Sequence, residues 1–407
     1  MQINHIVTSR KGGAFLAAKS LHLGLIDEGL DSRIYLRHLQ SQGKVITGEY
    51  SINRSLASVY SSKIVTALQA NIVQSGRELI TTFGVTSPYE WSEIQLGSLI
   101  HIHSIYNLVN SSVLKEWVNQ GRTLILQLHD ERFLTGGCHH DLGCIGFEKN
   151  CMKCPQVQRI FRPYVSKEKI SINWILKQPK VHVVAPSKYL FNKALKLVPR
   201  DRLHLIPNVT TNTQAIDSFE RSKIRNSLKL KESDFVLGFC AANLDSPYKN
   251  FSYFKVIVKE LRKMWVDSLP NLKVMLVGDG GEKFQDDGLI RFSSSNESEV
   301  RAHIAAMDLL LVPSQIDNVP NVIIEALLEG TPVLASPVGG IPDLFEHLIE
   351  DFSLTGEPGL DSKRIIQMTG KYDRDSIKKK SREKFNQKII IYSYLELYKS
   401  LHERGIS

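Results

Sequence analysis

The sequence predicts an α/β protein of two Rossmann-like, doubly wound domains in series, facing one another across a cleft. Three observations carry this prediction. Short β-rich apolar runs alternate with amphipathic stretches through the first half, a proline and a polar run break that rhythm near residue 206, and the same rhythm then restarts. Apolar runs separated by helical segments read as parallel strands joined by crossover helices. With 407 residues the chain is too long for one ordinary core, and at roughly 150 residues per domain it divides into two or three.

The first domain, residues 1–207, runs through NHIVTS, AFLAAKSLHLGLIDEGL, SRIYLRH, SLIHIHS, TLILQLHD and VHVVAPS. The phrase IPNVTTNTQ reads as a linker, because a helix-breaking proline is followed by polar residues. The second domain, residues 208–385, opens with the strand FVLGFCAA and continues through the helix FSYFKVIVKELRKMW, the strand KVMLVGDGG, the helix EVRAHIAAMD, the strand LLLVPS, the helix PNVIIEALLEG and the strand TPVLAS. Residues 386–407 read as a C-terminal helix packing back on the first domain. Open α/β sheets bind ligands beyond the carboxyl ends of their strands, so the cleft is the expected site.

A hydrophobic fraction of 42% and a charged fraction of 23% are those of a packed, globular protein. No run approaches the roughly 20 apolar residues that span a bilayer, and the start, MQINHIVTSRKGG, lacks a signal peptide's apolar stretch, so a cytoplasmic protein is expected. The net charge of +9 points to an anionic partner, whether nucleic acid, an anionic leaflet or a phosphorylated ligand. Nucleic acid is disfavoured, since the basic residues are not interleaved with aromatics on a recognisable module. The basic run KYDRDSIKKKSREKFNQK reads as a solvated helix face.

The densest chemical signal spans Pro313 to Pro332. A strand ends at Pro313, a polar loop carries Asp317 and Asn318, Pro320 suits the first helical position, and Gly330 stops the helix. The helix start offers unpaired N–H groups from about Asn321 and Val322, a ready phosphate site. Side chains on a helix lean toward its N-terminus, so Glu325 in the second turn reaches a ligand seated there. Further small or polar loops follow other strands: Gly12 and Gly13, the stretch from Asn243 to Lys249, and Gly278-Asp279-Gly280-Gly281. His129 and Asp130 close TLILQLHD, and His103 lies in HIHSIYN. The G-x-G-x-x-G fingerprint with its downstream acid is absent, which lowers the odds of a dehydrogenase.

Four cysteines, Cys138, Cys144, Cys151 and Cys154, fall in a loop over residues 136–155, while Cys240 stands alone. Four thiolates ending in C-x-x-C can close a tetrahedral structural zinc site; buried thiols or a redox-sensitive pair are the alternatives.

Asp317 and Glu325 in their setting resemble the EX7E signature of retaining glycosyltransferases of the GT-B fold, in particular glycosyltransferase family 4. ESEVRAHIAAMDLLLVPS, GTPVLASPVGGIPDLFE, the IPN of the linker and VAPSKYL extend the resemblance over most of the chain. The resemblance implies that Glu325 binds the ribose of a nucleotide and that Asp317, here one methylene shorter than glutamate, meets donor-sugar hydroxyls. It assigns Lys249 to the diphosphate, with Asn243 where the family often has arginine. Gly12 and Gly13 then face the diphosphate and acceptor, Gly278 the nucleotide, His129 the reaction centre and His103 the acceptor side. The cysteine cluster resembles one in a subset of these transferases.

On this reading the chain is a retaining, hexosyltransferase-like enzyme. It moves a sugar from a UDP- or GDP-sugar to a glycan or lipid-linked glycan in surface polysaccharide biosynthesis, with no cofactor required for catalysis. Front-face substitution is implied, with Lys249, the backbone near Asn321 and Arg10 or Lys11 neutralising the departing phosphates. A nucleotide-sugar epimerase of the same fold and a catalytically degenerate sugar-binding protein are the alternatives. The stretch SKEKISINWILKQPK suggests contact with an anionic leaflet, at the inner face of the plasma membrane.

Overall fold

The β-rich runs of the first half become parallel strands because β-branched and aliphatic side chains fill both faces of a covered sheet. In the computed structural model, which describes residues 1–10, 12–36, 46–52, 60, 88–105, 108–210, 216–266, 269–294 and 296–406, they are β1 (Gln2–Val7), β2 (Asp31–Leu36), β4 (Leu99–Ile102), β5 (Leu124–Gln127) and β6 (Val181–Ala185). Two short strands, β3 (Glu49–Ser51) and β7 (Leu203–Leu205), complete a sheet of order β3-β2-β1-β4-β5-β6-β7. Every neighbouring pair is parallel.

The second half gives β8 (Phe235–Asn243), β9 (Leu272–Asp279), β10 (Leu289–Phe292), β11 (Leu309–Val312) and β12 (Val333–Ala335), in the order β10-β9-β8-β11-β12. These pairs are parallel too. Each sheet grows outward in both directions from its first strand, and helices cover both faces of the second. Phe254, Ile257 and Leu261 of the helix Phe251–Met264 join Ile365 and Met368 of Pro358–Met368 in one core. Ile304, Ile323, Leu327 and Phe345 from three other helices form another.

The chain divides into two units, Met1–Thr211 with Gln387–Ser407, and Asn212–Asn386. The last helix, Gln387–Ile406, therefore belongs with the first sheet. It buries Ile390, Ile391, Tyr394, Leu395, Tyr398 and Leu401 in the core that holds Ile3, Leu21, Leu25 and Ile125. Polar bonds set its register: Tyr398 OH lies 2.7 Å from His101 Nδ1, and Tyr394 OH donates to Gln127 Oε1 at 3.1 Å, both in the interior. Among the described residues no helix is long and apolar enough to cross a membrane.

Candidate functional site

A doubly wound sheet opens a crevice where its strand order reverses, at the carboxyl ends of the two strands on either side. In the second unit those strands are β8 and β11. The loops leaving them are tied together by a backbone bond from Gln315 N to Tyr248 O at 2.8 Å. There Lys249 Nζ donates to Asp317 Oδ2 at 2.5 Å. Ser314 Oγ approaches the same oxygen at 3.5 Å, and Asp317 Oδ1 accepts from the Asn318 N–H at 3.0 Å. Two residues 68 positions apart thus form one ion pair at the switch point. A residue the sequence reading passed over makes this possible. Gly339, at φ +58°, sits so close beneath the loop that a Cβ there would lie 1.8 Å from the Asp317 carbonyl oxygen. The doubled glycine within PVGGIPD was the available signal.

The helix Asn321–Leu328 rises from the same loop. Pro320 is its N-cap, extended at φ −68° and ψ 114°, rather than its first helical residue. The Pro320 carbonyl accepts the Ile323 N–H at 3.0 Å, so the proline ring stands one step outside the first turn. No side chain caps this end and no acid lies in its first turn, so the N–H groups of Asn321 and Val322 present an uncompensated positive dipole end. Gly330, at φ +71°, ends the helix, with the Thr331 N–H bonded back to the Ala326 carbonyl at 2.8 Å. Glu325 is partly buried in the second turn, and its carboxyl is pushed up to about 7. Burial is the main cause; Arg301 opposes it, while Glu297 and Glu329 add to it.

In the same unit the ends of β8, β9 and β10 line an open cavity of about 460 Å³, with Leu244, Gly278, Asp279, Gly280, Arg291 and Ser293 on its walls. Asn243 is exposed at the end of β8, and its side-chain oxygen accepts the Asp245 N–H at 3.0 Å. Asp245 in turn accepts the Gly281 N–H at 2.9 Å, so Asn243 shapes the loop. Gly278, at φ +133°, leaves only 1.7 Å between a would-be Cβ and the Ala241 carbonyl oxygen. Gly278→Ala is therefore expected to lower stability by about 3 kcal/mol through backbone strain and overpacking. Urea unfolding checks it; an unchanged midpoint would mean the strands part freely.

In the first unit Gly12, at φ +84°, caps the helix Gly13–Asp27, and both glycines are exposed. Arg10 has its own partner, donating from Nε to Glu49 Oε1 at 2.8 Å, which occupies a residue expected to serve a phosphate. Lys11 lies outside the described residues. His129 follows β5, with Asp130 held by the Arg132 N–H at 2.7 Å and by His139. Burial alone would resist ionisation of Asp130, but His139 and the backbone outweigh it and keep its carboxyl below the usual range.

His103 lies buried beneath His129, its Nδ1 3.1 Å from His129 Nε2, and its own Nε2 is 3.0 Å from Nδ1 of His5. The three rings form one chain of imidazole hydrogen bonds, and since a neutral ring carries a single N–H, all must point the same way along it. His5 escaped the sequence reading, though NHIV and HIHS on adjacent parallel strands put His5 and His101 in register.

Burial pushes His129 down to about 4 and His101 to about 3, and holds His5 and His103 well below the ordinary range. These rings are neutral at neutral pH, so His129 offers a hydrogen-bonding group there rather than a cation. An unfolded chain takes up protons below pH ~6.5 that the folded unit refuses, so stability falls as pH drops through that value. At about 2 kcal/mol per ring at pH 5, four rings approach the 5–15 kcal/mol of a whole domain. The first unit is expected to unfold in acid near pH 5, before the second. Near-ultraviolet circular dichroism and domain-resolved hydrogen exchange check the order; simultaneous loss of both units would contradict it.

Cys138, Cys151 and Cys154 are buried and Cys144 is partly so, all lining one small cavity. The Cys138 thiol donates to Cys154, which the Gln156 and Val157 N–H groups and Arg162 also favour as thiolate, drawing it down to about 6. Zinc bonds of about 2.3 Å would hold sulfurs about 3.8 Å apart. Among the described residues the one set of three ligand atoms within 4.8 Å of one another is His5, His101 and His103, so no three of the sulfurs are drawn together as a bound zinc requires. The histidine nitrogens, His5 Nε2 apart, are engaged in bonds to Tyr398, Gln127 and one another.

Residues 234–367, which hold Lys249, Asp317, Glu325 and the β8–β9 cavity, match the family model described as glycosyl transferases group 1. The chain has the GT-B fold, and the match of residues 234–367 to that family model supports a glycosyltransferase. Over its whole length it is similar in fold to HepE of Anabaena, crystallised with UDP, at a TM-score of 0.62 and 18% identity, covering 98% of this chain and 100% of that one. In sequence it is 20% identical over 251 residues to an uncharacterised 41.2 kDa protein of the Klebsiella pneumoniae cps region, 59% of this chain and 67% of that protein. It is 37% identical over 82 residues to TuaC of Bacillus subtilis, described as a putative teichuronic acid biosynthesis glycosyltransferase, 19% of this chain and 21% of TuaC.

Proposed function

We propose that the protein transfers a hexosyl unit from a nucleoside-diphosphate sugar, a UDP-sugar in the first instance, to a glycan or lipid-linked glycan of a surface polysaccharide, with retention. The observation that carries this reading is the Lys249–Asp317 pair beside the uncapped helix of Glu325, at the switch point of a group 1 glycosyl transferase domain. The UDP bound to HepE and the naming of TuaC support the donor and pathway.

In this reading the base and ribose occupy the β8–β9 cavity and reach Glu325. The diphosphate takes Lys249 as cation, with the Asn321 and Val322 N–H groups beside it, and Asp317 accepts from a sugar hydroxyl. The bond from the anomeric carbon to the phosphate oxygen breaks as the acceptor oxygen bonds the same face. The acceptor proton passes to the departing phosphate oxygen, leaving the protein to stabilise charge. Gly12 and Gly13 approach the diphosphate, and neutral His129, held by His103, hydrogen-bonds near the sugar. A structural zinc would join the four cysteines once their sulfurs draw together. Elemental analysis checks this: one zinc per chain, lost in Cys151→Ser, is expected, and metal-free purified protein refutes it.

A thermal-shift panel of UDP, GDP, ADP and their sugars tests the donor, because a ligand that binds only the native state raises its stability by about 2.7 kcal/mol at a hundredfold excess over Kd. Stabilisation by a uridine nucleotide is expected; no response to any nucleotide would overturn the reading. Product analysis with an added acceptor separates transfer from epimerisation.

A further inference from the structure

The helix Arg162–Leu176 turns one stripe to solvent. Lys167, Ile170 and Trp174 stand exposed at spacings of three and four, with Lys177 next in line. Ile170 is 58% exposed and Trp174 39%. Immediately before the helix Ile160 is 77% exposed, beside exposed Arg159.

The cysteine loop lies against the same helix. It is pinned to the helix by Val157 and Val165, which pack with Cys151 and Cys154, and by a bond from Asn173 Nδ2 to the Lys149 carbonyl at 3.4 Å. Ile145 and Met152 project from it at 65% and 46% exposure, among exposed Lys149 and Lys153. Between Leu142 and Lys180 there are eight Lys and Arg against two Glu, a surplus equal to six of the nine net charges of the chain. Of the two acids Glu168 is buried and Glu148 is paired with Lys196.

Single apolar side chains separated by cations match an interfacial element whose apolar groups enter the headgroup layer while lysines meet lipid phosphates. Tryptophan favours that depth. We propose that the stripe of Ile160, Ile170 and Trp174 with the Ile145–Lys153 loop tip is a docking surface for an anionic lipid bilayer. The surface deepens the glycosyltransferase reading by bringing the enzyme to a lipid-linked acceptor, and it rests on that reading only for this consequence.

Cosedimentation of the full chain with vesicles of phosphatidylcholine, alone or with phosphatidylglycerol, tests it without any activity assay. The protein is expected to sediment with the phosphatidylglycerol vesicles and not with phosphatidylcholine alone. Two triple variants, Ile160→Ser with Ile170→Ser and Trp174→Ser, and Lys149→Gln with Lys153→Gln and Lys167→Gln, should each weaken binding about tenfold or more. All six side chains are exposed, so melting temperature and the thermal shift by UDP should stay as in wild type. Failure of the wild type to bind phosphatidylglycerol vesicles, or binding by both variants at wild-type strength, overturns the proposal. So does a wild-type dimer that the variants turn to monomer without vesicle binding, which assigns the face to a second copy of the chain. Loss of the UDP response in the wild type would instead count against the donor reading.

Discussion

Lys249→Ala is expected to reduce transfer by about 10²- to 10³-fold, the cost of removing one preorganised charge donor from a transition state, or about 3–4 kcal/mol. The lysine is the cation that the second unit brings to the crevice between the loops after β8 and β11, and its ammonium already sits against Asp317. When a diphosphate arrives, its three N–H donors can serve the carboxylate and a phosphate oxygen at once. Loss of stability should be small. The side chains of Lys249 and Asp317 are 33% and 15% exposed, and such a pair contributes no more than about 1 kcal/mol. Asp317 also keeps its bonds from Ser314 and the Asn318 N–H. Lys249→Arg should rescue poorly, because a planar fork cannot follow a shifting diphosphate as a compact charge does. Steady-state kinetics with a matched melting curve decide it: wild-type turnover in Lys249→Ala removes the lysine from the site.

Glu325→Gln is expected to make the protein more stable above pH 7 while abolishing most transfer. The carboxyl titrates at about 7 in the folded chain against 4.5 as a free group. A raised acid favours the folded state when protonated, so its contribution is complete below pH 4.5 and is lost as pH rises to 7. Above that the ionised group costs about 3 kcal/mol, which the neutral amide relieves. Affinity for a UDP-sugar, whose phosphates carry no titrating proton in this range, should fall in wild type as pH drops from 8 to 6. In Glu325→Gln it should be weak and flat. A variant no more stable than wild type at pH 8 that also keeps wild-type affinity and slope would show that Glu325 is merely a solvated helix residue.

Both signals behind these predictions are local. Asp317 and Glu325 were legible because a strand, a polar loop and a helix with its glycine stop follow one another without interruption, and helical geometry aims a second-turn side chain at the N-terminus. The parallel strands were legible for a similar reason, since a strand covered on both faces must be apolar along its whole length. Lys249 was visible only through resemblance; a lone loop lysine carries no periodicity. Its contact with Asp317 joins two loops on different strands, as does the approach of Gly339 to the Asp317 carbonyl. The partner of Arg10, Glu49, lies 39 residues away, and nothing near Arg10 in the sequence announces it.

By itself, then, the sequence determined the two α/β halves, the loop-helix that bears Asp317 and Glu325, and the basic, half-apolar stretch after the cysteines, because each is written in residues within a few turns of one another. The tertiary structure decided the rest. It brought Lys249 to Asp317, raised Glu325 by enclosing it, and lined up His5, His103 and His129 across three strands. It also left no three of the four sulfurs within 4.8 Å of one another. Charge state and metal fit depend on burial and on distances between remote segments, and those quantities exist only after the sheet has set which strands lie side by side.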